Sequence, residues 1–313
     1  MSKPQVSVIC PSLNLGRFVR QTIQSILDQD YQNLELIVMD GCSTDETHEI
    51  LSGFDGVQVF IEPDSSVEEA IQNGIHKSTA ELIMFMMISD SYADQQWISR
   101  CVQVMEQSPD IALCWGLPQY MSEDGVIGKV CYQKWIGGKA PSREAMFRHW
   151  LKTGWYFPEC NMCIRREVIE KLFLEIDNTD PSIDIWLEFS KRFHITGYLS
   201  EFIPMVANYG RLHSGNRTQL QRATRILDHQ ENNYHHDRLA YARRVLWSSN
   251  EHRFRALDGS ISNPFQPKFG SRILISLSIL ITEGRRILRA FAIRWMERVP
   301  PLSVYCWKLK TGL

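Results

Sequence analysis

Three aspartates stand just behind short apolar runs. Asp40 follows Leu34-Glu35-Leu36-Ile37-Val38-Met39, Asp64 comes shortly after Val57-Gln58-Val59-Phe60-Ile61, and Asp90 shortly after Leu82-Ile83-Met84-Phe85-Met86-Met87. A carboxylate in such a place can ligate a hard divalent cation, hold a hydroxyl or accept a proton. Each also has an ordinary role, since an aspartate in a turn bonds its own backbone and Asp90-Ser91 precedes a helix it could cap. A second set lies further along: Glu159, Asp180 and Asp184, then Arg211 and His213, types suited to proton transfer and to binding anions or metals. Cys160 and Cys163 have the spacing of half a zinc site, but no second pair follows at the required distance, so packing is the better account. His235-His236-Asp237 reads as a solvated helix face.

The elements around these residues are legible from periodicity. Val6-Ser7-Val8-Ile9-Cys10 and Leu34 to Met39 read as buried strands closed by Pro11 and by Asp40-Gly41. Between them Val19, Ile23, Ile26 and Leu27 recur at helical spacing, which gives a βαβ unit and a parallel sheet. Ser43 with Glu46 and Ser65 with Glu68 form capping-box pairs that open two helices, and Gly74 is placed to end the second. Val57 to Ile61 and Leu82 to Met87 add two strands. In open α/β sheets, ligands bind beyond the carboxyl ends of the strands, and here those ends carry Pro11 to Asn14, Asp40, Glu62 to Asp64 and Ser89-Asp90. The expected class is therefore α/β, with its polar residues gathered on one rim.

After residue 95 the rhythm loosens. Ile98, Val102 and Met105 mark a helix, Ile111 to Trp115 a strand, and a Gly-rich stretch to Gly138 precedes helices around 143 to 153 and 183 to 193. From Arg217 the chain reads as helical and increasingly basic. Ile273 to Ile281 and Ile287 to Ile293 are flanked by Arg272, Arg285, Arg286, Arg289, Arg294 and Arg298, a pattern that suits an interfacial helix pair able to touch a membrane surface. The longer of these runs is about half the ~20 residues a spanning helix needs. Lys plus Arg (34) nearly balance Asp plus Glu (36), so nucleic acid is not an expected partner. Eight scattered cysteines read as thiols packing in a reducing compartment, and Met-Ser-Lys-Pro-Gln lacks the blocks of a secretory signal. A cytoplasmic location, with peripheral contact at the inner face of a membrane, is expected.

Five segments in order carry a resemblance: Val6 to Asn14, the Asp40-Gly41-Cys42-Ser43-Thr44-Asp45 turn, Glu62-Pro63-Asp64, Ala70 to Ile75, and Ala80-Glu81-Leu82-Ile83 running to Ser89-Asp90-Ser91-Tyr92. Together they resemble the inverting glycosyltransferases of family 2, of the bacterial cell-surface polysaccharide type. The likeness is densest over residues 5 to 95 and continues more weakly through Gly116, Gly125, Arg165-Arg166, Asp184-Ile185-Trp186-Leu187 and Arg211-Leu212-His213. It implies a GT-A fold with residues 1–95 as the nucleotide-sugar half, 96–216 as the acceptor half and 217–313 as a helical, basic extension. It also implies transfer of a sugar from a nucleoside diphosphate, UDP favoured, to a saccharide or lipid-linked hydroxyl, with Mg²⁺ or Mn²⁺ as cofactor.

Residue by residue, the resemblance makes Asp90 the metal ligand, with Ser89 where the family has a further acid. It places Asp40 on the nucleobase, Pro11, Ser12 and Asn14 in the turn that supports that base, and Asp64 near the ribose. Arg211 and His213 match an element that folds over the diphosphate or metal. The family's catalytic base lies two residues before the aspartate of the Asp184-Ile185-Trp186-Leu187 helix start, and that position is Ser182. Asp184, Asp180 and Glu159 are the carboxylates available instead, with Asp184 ranked first, although an acid at a helix N-terminus is also a normal cap. Serine at both 89 and 182 motivates a rival reading, a catalytically impaired member that binds sugar nucleotides or saccharides. A nucleotidyltransferase would need a Gly-rich phosphate loop that Leu13-Asn14-Leu15-Gly16 does not supply.

Overall fold

The computed structural model describes residues 5–131, 142–177, 179–180, 183–216, 226–247, 252–255, 257 and 261–297. Gly138, Pro181, Ser182, Arg217, Arg298 and Cys306 lie outside them, as do the side chains of Arg289 and Arg294.

The first strands are largely apolar because they are buried on both faces, and the buried Ser7 and Glu35 within them bond each other. β1 (Val6–Ser12) lies between β2 (Leu34–Asp40) and β4 (Leu82–Phe85), parallel to both, and β3 (Val57–Ile61) closes that side as the half-exposed edge. Helices α1 (Gly16–Leu27), α2 (Thr47–Leu51) and α3 (Val67–Lys77) connect them. The sheet then continues through antiparallel β8 (Met162–Arg165) to β6 (Ile111–Ser122), β9 (Leu199–Leu212) and the short β5 (Ser91–Tyr92), giving the order β3-β2-β1-β4-β8-β6-β9-β5, with β7 (Ile127–Val130) beside β6. One mixed sheet thus runs through both expected halves of the domain. Its two faces are filled by separate clusters, one around Ile9, Ile37, Phe85, Trp115, Phe173 and Trp186, the other around Val8, Val19, Val38, Met84, Trp97 and Cys163.

Helices α4 (Trp97–Gln107), α5 (Arg143–Thr153), α6 (Arg166–Leu172) and α7 (Ile185–Thr196) flank the second half. The C-terminal region adds α8 (Ile226–Trp247), a hairpin of β10 (His252–Arg255) and β11 (Ile261–Phe265), and α9 (Phe269–Glu297). Phe147, Trp150 and Leu151 of α5 pack with Leu246, Phe265, Ile275 and Ile279 from these elements. Beneath them Arg238, fully buried, bonds Glu283 of α9 and the Leu151 carbonyl. A buried charge of this kind is tolerable only when so paired.

Several expectations change. The helix expected to end at Gly74 continues to Lys77, because Gly74 is there for closeness: a Cβ would meet Ile9 Cγ2 at 2.4 Å. Its cap is Ser66, which accepts from Glu69 N, while the Glu69 carboxylate bonds Ser65, one residue on from the expected pair. Ser43 does not cap a helix but bonds Asp40. The expected C-terminal helix pair is one continuous helix, since Gly284 sits in open space and does not interrupt it, and the hairpin before it was not expected at all. Cys101, Cys114 and Cys163 bring their Sγ atoms within 4.8 Å of one another, fully buried. Burial pushes the Cys101 and Cys114 thiols well above their usual range, so those two pack as neutral small groups. Seven of the eight cysteines lie within the described residues, all as free thiols.

Candidate active site

Two turns at the ends of β1 and β2 are laced together. Asn14 adopts a left-handed backbone (φ 52°) and accepts from Thr44 N at 2.8 Å through Oδ1, while its own N–H donates to Ser43 Oγ at 2.8 Å. Asp45 accepts from Gly16 N at 2.9 Å, capping α1 from the other turn. Asp40, 1% exposed, accepts from Ser43 N and Ser43 Oγ at 2.7 Å each and pairs with His48 Nε2 at 2.7 Å, a partner the sequence reading missed. Burial works to raise its pKa, but these bonds outweigh it and hold the carboxyl below its ordinary value. Asp64 comes so close to this turn that a Cβ on Gly41 would lie 2.7 Å from its Oδ2. Burial, then the charges of Glu69 and Asp40, raise the Asp64 pKa.

A cavity of about 810 Å³ opens beside these turns. Pro11, Ser12 and Asp64 line one part of it, and Ser89, Asp90, Glu159, Asp184, Trp186, Arg211 and His213 line the rest. Asn14 and Asp40 support the wall from behind without lining it, and Asp180 opens instead onto a neighbouring cavity of about 400 Å³ with Asp184, Lys191 and Asp237. Tyr120 was missed because β6 runs seven residues beyond the expected end at Trp115, to Ser122. Its signal was the continuing apolar series Leu117 and Met121.

Asp90 is held by β9: its Oδ1 accepts from Arg211 N at 3.0 Å and from Ser89 Oγ at 3.3 Å. Burial raises its pKa to about 6 despite these bonds. The Arg211 guanidinium, expected over the diphosphate or metal, is engaged by the protein itself. Nε donates to Ser89 O at 2.8 Å, Nη1 to Glu123 O at 2.8 Å and Ser122 O at 3.2 Å, and Nη2 to Gln21. The side chain is a clasp that fixes the Ser89-Asp90 loop. His213 presents a buried Nδ1 with no hydrogen-bond partner, and burial, followed by the charge of Arg17, lowers its pKa and so favours the neutral ring.

Asp184 is the N-cap of α7, its Oδ1 accepting from Trp186 N and Leu187 N at 3.0 Å each. Burial nonetheless raises its pKa. This competes with its expected role as base, because a proton-accepting carboxylate must be free to turn to its substrate. Glu159 sits in a single helical turn (Glu159–Asn161) just before β8. Burial lifts its pKa to about 7, partly offset by its own backbone N–H, with Asp184 and Asp90 adding to the rise. Four carboxylates on one cavity, Asp64, Asp90, Glu159 and Asp184, are thus raised together, each chiefly by burial.

The mixed sheet flanked by helices, with its laced strand-end turns, has the GT-A fold. The family model described as "Glycosyl transferase family 2" matches residues 7–173, and the chain belongs to that family. Among its relatives, a Bacillus subtilis (strain 168) protein named for teichuronic acid biosynthesis, the glycosyltransferase TuaG, is 30% identical over 111 residues, covering 34% of this chain and 44% of that one. The chain therefore spans less than half the length of this relative. Residues of S. aureus TarS (1-349), solved with UDP-GlcNAc, superpose with a TM-score of 0.56 at 14% identity, over 78% of this chain and 73% of that one. The mannosyltransferase PcManGT from Pyrobaculum calidifontis, solved with GDP-Man and Mn²⁺, gives 0.55 at 15% identity, over 99% and 85%.

Proposed function

We propose that this protein is an inverting glycosyltransferase that moves a sugar from a nucleoside diphosphate, UDP favoured, to the hydroxyl of a saccharide or lipid-linked acceptor in polysaccharide assembly. The observation that carries the reading is the shared cavity: turns of the parallel βαβ half and carboxylates of the second half line one volume. The relatives solved with UDP-GlcNAc and with GDP-Man favour a sugar nucleotide as its occupant.

In this reading Pro11, Ser12 and Asp64 hold the nucleoside, with Asp40 and Asn14 keeping the turn rigid, and Ser89 reaches the ribose or diphosphate. The residues present fit a divalent cation, Mg²⁺ or Mn²⁺: His213 Nδ1 is buried without a hydrogen-bond partner, and Asp90 brings a buried carboxylate to the same cavity. Asp90 and His213 would hold it, and when bound it neutralises charge on the departing diphosphate. Arg211 keeps Asp90 in place through its backbone N–H and its hold on the Ser89 carbonyl. A carboxylate of the second half removes the acceptor proton.

Contact with a membrane surface belongs to the same reading. No helix among the described residues is long and apolar enough to cross a membrane. α9 nevertheless leaves Leu274, Leu277, Leu280, Ile281, Ile287 and Leu288 at least half exposed, with Arg285 beside them. An apolar face bordered by cations suits anionic lipid.

Nucleoside diphosphate release tests the function. With Mn²⁺ and a panel of UDP-, GDP- and dTDP-sugars, at least one donor is expected to turn over. Binding without release from any donor, across a broad acceptor panel, favours the impaired binding module suggested by the serines at positions 89 and 182.

A further inference from the structure

Position 182 is serine, so the proton acceptor must come from elsewhere. Five carboxylates line the cavity: Asp64, Glu68, Asp90, Glu159 and Asp184. Two of them stand at or just before the start of α3, and two accept from backbone N–H groups of other residues. Asp64 closes on Gly41 at the nucleoside end, and Glu68 is 6% exposed in the first turn of α3. Asp90 is fixed by Arg211 N, and Asp184 takes two N–H groups of α7. Glu159 differs: its turn follows Pro158, packs against β4, β6 and β9, and leaves the carboxylate bonded to its own backbone N–H.

Resting on the transferase reading above, we infer that Glu159 is the catalytic base. Its carboxylate takes the proton of the acceptor hydroxyl as that oxygen bonds to the anomeric carbon. The bond from that carbon to the donor diphosphate breaks, and its electron pair leaves with the diphosphate. Trp186 and Tyr120 line the same cavity and give the acceptor sugar flat surfaces to lie against. Asp184 has the positioning role of fixing the start of α7, and with it Trp186.

The experiment measures nucleoside diphosphate release from UDP-GlcNAc and GDP-Man with water as the probe acceptor, alongside donor affinity and melting temperature for each variant. Glu159→Gln is expected to lower kcat by at least about 100-fold, the usual cost of losing a general base, while donor KM stays within about threefold. Glu159→Asp, a carboxylate on a shorter arm, is expected to recover part of that loss. Asp184→Asn keeps an N-cap and is expected to retain kcat within about fivefold. Near wild-type kcat in Glu159→Gln, or loss of turnover in a folded Asp184→Asn, overturns the inference and leaves the transferase reading standing. A wild-type protein that releases no diphosphate from either donor overturns that reading and the inference together.

Discussion

Buried ionisable side chains in this protein divide into those crowding the cavity and those sealed in the core. His194 and His252, 5% and 3% exposed, belong to the second kind. Burial, with the neighbouring His252 and His149 adding for His194, depresses them from 6.5 to about 3 and about 4 respectively. Below pH 6.5 the unfolded chain binds protons that these folded-state rings refuse, so their neutral form stabilises the fold fully above 6.5 and that stability is lost as pH falls. Each histidine contributes a slope of about 1.4 kcal/mol per pH unit until its folded value is reached. His194 stacks on Trp150 and Phe157, with ring centroids 4.8 and 5.3 Å apart, so His194→Phe keeps the packing. Urea unfolding at pH 7.5, 6 and 5 is expected to show a shallower acid decline in that variant, and an identical decline would contradict the assignment. At this scale the sequence exposed the strand-end acids Asp40, Asp64 and Asp90, because an aspartate behind an apolar run is conspicuous. It could not expose the engagement of Arg211, which depends on partners supplied by the folded chain, and it offered the Asp184 cap only as the alternative to a base.

Elements were legible where one period dominates. β1, β2 and β3 are short apolar runs with turn residues behind them, and α5 fills the expected 143 to 153 interval. β9 was missed because its half-buried pattern includes Pro204 and Gly210, and β11 because it is short and holds Pro264. Gly74 was misread for an instructive reason: a glycine near a helix end and a glycine under a helix look alike in sequence. Its contact with Ile9 and Met39 sets how closely α3 lies on the sheet, and α3 carries the Ser65-Ser66 lip of the cavity. Gly74→Ala is expected to destabilise by about 1–3 kcal/mol through overpacking and to lower the melting temperature. An unchanged melting temperature would mean that α3 can shift freely.

Across the whole molecule, the sheet runs unbroken from the βαβ half to the second half, and the cavity lies where loops from both meet. The C-terminal elements are fastened to α5 through Trp150, Leu246 and Ile275, so α9 presents its apolar face from a fixed base. Its described acid, Glu283, is turned inward to Arg238, which leaves the outer charges cationic. Co-sedimentation with phosphatidylglycerol vesicles is expected, weakened several-fold by Leu277→Asp and by salt. Equal recovery of variant and wild type would remove α9 from the membrane reading. The continuity of α9 escaped the sequence because an interior glycine can either end a helix or pass through it, and only the surrounding space decides.

The most direct measurement of the central claim is calorimetric titration of UDP and GDP into the wild type and Asp90→Asn, each with and without Mn²⁺. Wild-type protein is predicted to bind a nucleotide in a Mn²⁺-dependent manner, and Asp90→Asn to lose at least about tenfold, or 1.4 kcal/mol, of that affinity. Nucleotide binding that is equally tight without the cation and indifferent to the loss of the Asp90 charge would contradict the account.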